Sequence, residues 1–201
     1  MYTPRHFAEH DPDVVRELIA DAPLATLVTR DAEGGFTANH IPMFLDVGRG
    51  EHGTLVGHVA RANPVWRTPG PALAVFAGPD AYISPNWYAS KLVDGRVVPT
   101  WNYTAVHAHG TLVAFDDPAT TLRIVRRLTD LHEAGRAEPW KVDDAPGEYI
   151  DKMLTAIVGI EIAVTRFEAK SKLSQNRSDA DRAAVAAGVR AEGNPLADRI
   201  R

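Results

Sequence analysis

Cysteine is absent from the 201 residues of this chain. Its absence excludes disulfides, thiolate metal sites and cysteine nucleophiles. Long apolar runs are also absent: the longest lies between residues 153 and 164, is interrupted by Glu161, and is too short to span a bilayer. No G-x-S-x-G elbow and no P-loop occur. These absences argue against a hydrolase with a nucleophile elbow and against a P-loop nucleotide site.

The overall charge is low and slightly negative. Net charge is −4 and the isoelectric point is near 6.0, so the chain as a whole is not built to bind a polyanion. A helix-turn-helix pattern is also missing, and direct DNA binding is not expected. The first six residues, through His6, lack the apolar core of a signal peptide, which predicts a cytoplasmic location.

Short alternating apolar segments dominate the middle of the chain. Asp11-Pro12 and Asp117-Pro118 each predict a helix start, and four or five strands with short turns lie between them, followed by a long strand from Thr100 to Phe115. Strands joined by hairpins imply an antiparallel sheet, and six or seven such strands close most economically into a barrel. The sequence therefore predicts a mainly β fold with peripheral helices, in one domain covering residues 1–201.

Some local features carry more specific predictions. Pro42 removes a ladder donor, so the strand over residues 36–46 is predicted to lie at a sheet edge or to carry a bulge. Gly78-Pro79 is predicted to separate two short strands. Ser178 with Asp181 resembles a capping box and predicts a C-terminal helix over about residues 178–193.

Two stretches concentrate hydrogen-bond donors suited to phosphate. Residues 57–66 pass from a strand into a turn that carries Arg61, with its bidentate guanidinium, and Asn63, with its amide. Residues 172–177 place a second cluster of cations and amides directly after a predicted strand. The alternative for the first stretch is a solvated loop, and the alternative for the second is the polar entry to a helix.

Two imidazoles share one face of the long strand, at His107 and His109. That spacing suits zinc, but no acidic third ligand stands at a characteristic spacing. Partly buried, hydrogen-bonded histidines are the favoured interpretation, and no metal site is predicted.

Five motifs occurring in one order resemble the PaiB-like family, described as FMN-binding negative transcriptional regulators. The resemblance extends from Tyr2 to about Arg190, and Ser171 departs from it by standing where an aromatic residue is expected. The motifs are Tyr2-Thr3-Pro4, Gly57-His58-Val59-Ala60-Arg61-Ala62-Asn63-Pro64, Phe76-x-Gly78-Pro79-x-Ala81-Tyr82-Ile83-Ser84-Pro85, Pro99-Thr100-Trp101-Asn102-Tyr103 and Lys172-Leu173-Ser174-Gln175-Asn176-Arg177.

The resemblance implies an antiparallel split β-barrel like that of pyridoxamine-phosphate-oxidase-type flavoproteins, working as a homodimer with FMN at the subunit interface. On that basis residues 37–42 run beside the isoalloxazine, with the backbones of Asn39 and His40 as its partners. The residues implied to hold the phosphate and ribityl chain of FMN are His58, Val59, Arg61 and Asn63. The remaining implied cofactor contacts, some of them from the other subunit, are Trp101, Asn102, Lys172, Gln175 and Asn176.

The function that the resemblance implies is FMN binding with a negative transcriptional role exerted through the flavin or a partner. The alternative is an FMN-dependent oxidoreductase acting on a small molecule. A third hypothesis is a haem- or metal-binding barrel that uses histidines at positions 40, 58, 107 or 109.

Overall fold

The structure, a computed structural model, describes residues 1–201 and contains seven β-strands and five α-helices. The strands are β1 (Ala8–Glu9), β2 (Leu24–Arg30), β3 (Phe36–Asp46), β4 (Thr54–Ala60), β5 (Gly70–Ile83), β6 (Thr100–Phe115) and β7 (Ile157–Lys172). The helices are α1 (Pro12–Asp21), α2 (Lys91–Asp94), α3 (Pro118–Glu133), α4 (Gly147–Leu154) and α5 (Asp179–Ala191). No helix is long and apolar enough to cross a membrane.

The seven strands form one sheet in the order β1-β7-β4-β3-β2-β5-β6. Every pairing with an assigned register is antiparallel. β6, at one end of this order, also pairs with β7, so the order closes on itself. Closure leaves few unpaired edges, which is how an antiparallel barrel protects its strands from aggregation. The predicted mainly β split barrel with peripheral helices is confirmed.

The chain divides into two compact units. Unit 1 comprises Met1–Asp21, Ala77–Val106 and Glu168–Arg201, and unit 2 comprises Ala22–Phe76 and His107–Phe167. Strands β5, β6 and β7 each have segments in both units. Neither unit is a continuous piece of chain, and we propose that residues 1–201 form a single domain.

Unit 2 is built on the β2–β3 hairpin. Ala25 and Leu27 of β2 are fully buried, and Ile41 and Met43 of β3 are buried on the alternate positions that face inward. On the other side of the sheet, Val56 of β4 packs against apolar side chains of α3. This helix begins where it was predicted, because the Asp117 side chain accepts the backbone N–H of Thr120.

Unit 1 has a separate core under α5. Val185 and Val189 of this helix are fully buried and pack with Ile83 and with Leu196 from the C-terminal 3-10 turn Pro195–Arg199. The predicted cap is confirmed, since the Ser178 hydroxyl accepts the backbone N–H of Asp181.

The predicted break at Gly78-Pro79 is wrong, because β5 runs unbroken through both residues. A Cβ added at Gly78 would lie 2.0 Å from the Thr104 hydroxyl oxygen. The glycine is therefore required by the close approach of Thr104 rather than by a turn.

A glycine pattern in the β3–β4 connection has no nucleotide-binding context. Residues 48–53 match the letters G-x-G-x-x-G, yet they join two antiparallel strands. The dinucleotide fingerprint needs a strand followed by a helix, so these glycines serve the turn.

Candidate functional site

β3 and β4 of unit 2 pair over only part of their length. Residues 43–46 of β3 pair with residues 54–57 of β4. In the continued register Pro42 faces His58, but Pro42 has no N–H to donate to the His58 carbonyl, so two-way pairing ends at Gly57. Beyond this point β3 pairs with β2 alone and β4 pairs with β7 alone. We call the interruption between residues 36–42 and residues 58–60 the β3–β4 gap.

Pro42 was predicted to mark an edge strand or a bulge. The edge assignment is wrong for β3 as a whole, which lies between β4 and β2. It describes residues 36–42 locally, because they have no partner strand on the gap side.

The backbone of β3 alternates between β2 and the gap. The Met43 N–H donates to the Pro23 carbonyl, 2.9 Å away on the β2 side. Because successive residues of a strand direct their backbone groups to opposite sides, Ala38 and His40 face the gap while Asn39 faces β2. The expected backbone contact from His40 fits this register. The expected one from Asn39 does not, and Asn39 reaches the gap through its side chain instead.

The backbone of β4 alternates in the same way. The Arg61 N–H donates to the Ala156 carbonyl at 2.8 Å, so odd-numbered residues of this strand face β7. His58 and Ala60 therefore direct their backbone groups into the gap. Val59 is buried and pairs with Val158 of β7, so the structure does not bring it to the gap.

Asn63 spans the gap from the turn that follows β4. Its Nδ2 donates to Oδ1 of Asn39 at 2.8 Å. Its Oδ1 accepts the Val65 N–H at 3.0 Å and so caps the 3-10 turn Pro64–Arg67. One amide thus fixes the turn and connects it to β3.

All three nitrogens of the Arg61 guanidinium donate hydrogen bonds to partners within unit 2. Its two terminal nitrogens donate to the two carboxylate oxygens of Asp116, each at 2.6 Å. Nε donates to the Thr155 carbonyl at 2.6 Å, and one terminal nitrogen also reaches the Ile157 carbonyl at 3.2 Å. The hydrogen bonds with Arg61 lower the pKa of Asp116. The fork predicted to bind phosphate is therefore occupied by a carboxylate, which offers it a similar pair of oxygens.

A cavity of about 380 Å³ opens beside Asp116. Phe115, Trp66 and Arg67 contribute to its lining, and the Arg67 guanidinium lies 5.0 Å from the centre of the Trp66 ring. The Trp66 indole N–H donates to the Arg61 carbonyl at 3.0 Å, which fixes this aromatic wall to the turn. The lining combines aromatic side chains with one cation, Arg67, and one carboxylate, Asp116.

The His58 side chain belongs to the helix-covered face of the sheet. It lies two residues from Val56, which packs against α3, and opposite Gly159 of β7, where a Cβ would be 2.2 Å from the Phe115 ring. Its Nδ1 is buried without a hydrogen-bond partner. Burial lowers the pKa of His58 and keeps the imidazole neutral. Only the backbone of His58 is presented to the gap.

In unit 1 the predicted residues cluster around the turn formed by residues 172–177. Lys172 Nζ donates to the Thr100 hydroxyl and to the Trp101 carbonyl, both at 2.5 Å. Burial, together with the nearby charges of Lys170 and Arg177, lowers the pKa of Lys172. The Trp101 indole is half-exposed and meets the Tyr82 ring edge-on, with centroids 6.0 Å apart.

The other predicted residues of unit 1 mostly hold this turn together. Gln175 uses its amide on two neighbours, accepting from the Leu173 N–H and donating to the Ser171 carbonyl. Asn102 is fully buried and donates to the Ser174 hydroxyl at 2.9 Å, while its Oδ1 has no hydrogen-bond partner. Asn176 is exposed.

A cavity of about 670 Å³ in unit 1 does not suit a phosphate. Four carboxylates line it against two arginines, and Arg199 is already paired with Glu17 and Asp21. The remaining lining charge is negative and repels an anion.

His107 and His109, the pair considered for zinc, are both half-buried on β6. The Arg166 guanidinium lies 3.2 Å from Nδ1 of His109. A positive group at this nitrogen disfavours a metal cation in the same place.

Sequence reasoning missed Asp116 and the gap-facing backbones of Ala38 and Ala60. Asp116 gives no signal because its partner is 55 positions away, and only the adjacent Asp117 fits a local capping pattern. Pro42 gave a partial signal in the sequence for the end of pairing that exposes the Ala38 backbone to the gap.

This chain is similar in sequence to known proteins. The model of a family described as "Putative FMN-binding domain" matches residues 1–166. The Bacillus subtilis protein named "Protease synthase and sporulation protein PAI 2" is 33% identical over 205 residues, covering 100% of this chain and 94% of that protein.

Solved structures show the same fold. An FAD- and haem-binding protein from Mycobacterium smegmatis superposes with a TM-score of 0.61 at 19% identity, covering 88% of this chain and 79% of the other. The flavocytochrome Anf3 from Azotobacter vinelandii gives 0.60 at 15% identity, with coverages of 90% and 78%.

Proposed function

This chain belongs to the FMN-binding domain family, and we propose that it holds its FMN at the β3–β4 gap of unit 2. The observation that carries the proposal is the end of pairing at Pro42, which leaves the backbone N–H and C=O groups of Ala38 and His40 without a partner strand. The isoalloxazine edge carries both acceptors and a donor, which such a strand edge complements. FMN, when bound, supplies electron-transfer chemistry.

For the phosphate we propose that Arg61 exchanges Asp116 for the ligand. A phosphate presents the same bidentate pair of oxygens as a carboxylate. The bonds from Arg61 to the carbonyls of Thr155 and Ile157 do not involve Asp116, and they keep the guanidinium oriented during the exchange. Asn63 adds an amide at the same turn.

The unit 1 residues have two kinds of proposed role. Trp101 and Asn176 contact FMN directly, from either copy of the predicted homodimer, whereas Lys172, also implied as a cofactor contact, binds an anionic reactant of the flavin instead. Asn102 and Gln175 act by holding the turn in shape, because their amides are used inside unit 1.

Absorbance of the purified protein tests cofactor binding. Flavin bands that survive gel filtration, or return after adding FMN, are expected. The location is tested by Ala38→Pro, which removes one gap-facing N–H without removing a ladder bond to β2, and by Ala38→Ser as its matched control. We expect the proline variant alone to lose flavin affinity. Equal affinity of both variants would place the flavin elsewhere.

For the biological role we propose negative regulation of transcription through the flavin or a partner protein, as the PaiB-like resemblance implies. A net charge of −4 favours an indirect route over operator binding by this chain alone. Gel-shift titration at several salt concentrations tests it. Tight, sequence-selective binding by the purified protein would contradict the indirect route.

A second candidate is an FMN-dependent oxidoreductase. It is favoured by the half-exposed Trp101–Tyr82 pair, a surface on which a planar reactant can pack. Anaerobic reduction of the bound flavin by a nicotinamide donor, followed by reoxidation with candidate acceptors, tests it. A flavin inert toward every donor would exclude this role.

We also propose that the chain is a cytoplasmic homodimer. Leu92 and Val93 of α2 and the nearby Val98 are largely exposed, together with the half-exposed Trp101. Exposed apolar groups of this kind are typical of interfaces. Sedimentation over a range of concentrations tests the dimer, and a monomer throughout would contradict it.

A further inference from the structure

Arg177 is a cation that has no role in the proposed flavin site. Its guanidinium lies 4.6 Å from the centre of the Tyr88 ring and interacts electrostatically with the Asp181 carboxylate, without a side-chain hydrogen bond. Stacking on an aromatic face orients the planar fork without using its N–H groups. Arg177 therefore presents a preoriented fork that lacks an acceptor.

The turn that carries Arg177 is held in an unusual conformation. Ser174 is the one non-glycine residue of the chain with a positive φ, 66°, a conformation that costs free energy unless the surroundings impose it. Those surroundings are present: Asn102 donates to the Ser174 hydroxyl, and the Arg177 N–H donates to the Ser174 carbonyl at 2.9 Å. The strained residue fixes the direction in which Arg177 leaves the turn.

Positive charge around this turn exceeds the negative charge available to balance it. Lys172 is half-buried, and Lys170 is buried with its Nζ 5.0 Å from the centre of the Tyr103 ring. Two carboxylates nearby are already hydrogen-bonded, and one of them, Asp181, is also within electrostatic reach of Arg177. Glu168 binds the terminal ammonium of Met1, and Asp181 accepts the N–H and hydroxyl of Ser90.

We propose that Lys172 and Arg177 form an oxyanion site for a small molecule bearing a phosphate or carboxylate, separate from the site of the FMN phosphate. Lys172 uses two of its three protons on Thr100 and Trp101 and retains one. Arg177 supplies the bidentate fork. The backbone carbonyl of Trp101 accepts a hydrogen bond from Lys172, and the half-exposed indole of the same residue offers a surface on which a ring of the ligand can pack.

Anion binding at this turn does not depend on flavin binding. Only the identification of the ligand as the anionic reactant of the flavin rests on the proposed function. The two proposals therefore fail separately, because FMN affinity is measured independently on the same preparations.

The experiment is calorimetric titration of the full chain with inorganic phosphate and, in a second arm, with benzoate. Each titration is done without FMN and at saturating FMN. The variants are Arg177→Gln and Lys172→Gln, and Arg190→Gln is the matched control because Arg190 is an exposed arginine of the same unit whose partner is Asp198. Circular dichroism establishes that each variant is folded.

We expect at least one of the two anions to bind wild type and the control alike, with saturating FMN having no effect. Each site variant should weaken that binding by about tenfold or more, as expected for the loss of one charge-assisted hydrogen bond. The stronger arm identifies phosphate or carboxylate as the ligand class.

Three results would overturn the proposal. Absence of binding by both anions is one, and equal binding by all variants is another. Displacement of the anion by FMN, but not by riboflavin, would show that the turn holds the FMN phosphate itself.

Discussion

Asn63 offers the sharpest test of where the FMN phosphate binds, because one amide caps a turn and spans the β3–β4 gap. In Asn63→Ala the cap on Val65 is lost, at a cost of about 1 kcal/mol. The hydrogen bond to Asn39 is also lost, at about 1 kcal/mol. For a chain of this size, 1 kcal/mol shifts Tm by about 2–4 °C, so the variant should melt about 4–8 °C lower.

Asn63→Asp separates stability from ligand binding. Aspartate is an equally good cap, and Asn39 can turn its amide to donate to the new carboxylate, so Tm should change by less than half as much. The added negative charge instead opposes the FMN phosphate and should weaken FMN binding on the order of tenfold or more. Riboflavin lacks the phosphate and should bind this variant as it binds wild type.

Thermal melts and flavin fluorescence titrations of both variants measure these effects. Asn63→Ala is the control for loss of the amide without added charge. Equal weakening of FMN and riboflavin by Asn63→Asp would refute the placement of the phosphate at this turn, and an unchanged Tm in Asn63→Ala would refute the structural role of the bridge.

Three further predictions use other contacts. Asp116→Asn should increase the affinity for FMN several-fold without changing the affinity for riboflavin in the same titration, because an amide competes less well than a carboxylate for the Arg61 guanidinium. Weaker FMN binding would mean that the Arg61–Asp116 pair is purely structural. Because the pKa of His58 is lowered in the folded chain, the unfolded chain binds a proton at His58 at a higher pH than the folded chain does. The free energy of unfolding should therefore be at its full value above about pH 6.5 and fall as the pH drops from there toward the folded-state pKa. Urea unfolding of His58→Gln should show a shallower fall over this range, and an identical slope would contradict the assignment. Gly78→Ala should destabilise the chain by about 1–3 kcal/mol through collision with the Thr104 hydroxyl, and Thr104→Ala, which removes that oxygen, should restore stability in the double variant; no rescue in urea unfolding would mean that the glycine is needed for another reason.

Local rules predicted the elements of this fold well. Asp-Pro pairs marked the starts of α1 and α3, alternation marked β3 and β6, and Ser178 marked α5. Each depends on residues within a few positions of one another. The failure at Gly78 came from a contact with Thr104 on another strand, which no local pattern records.

The same distinction between local patterns and long-range contacts applies to the candidate site. The sequence by itself determined that Arg61, Asn63 and Lys172 are donors suited to an anion, because side-chain chemistry does not depend on the fold. Only the tertiary structure decided which donors are already used. Arg61 is paired with Asp116 and Gln175 is spent within its own turn, whereas Arg177 keeps its fork open. A hydrogen bond joins residues that are distant in the chain, and the strand register sets which ones meet.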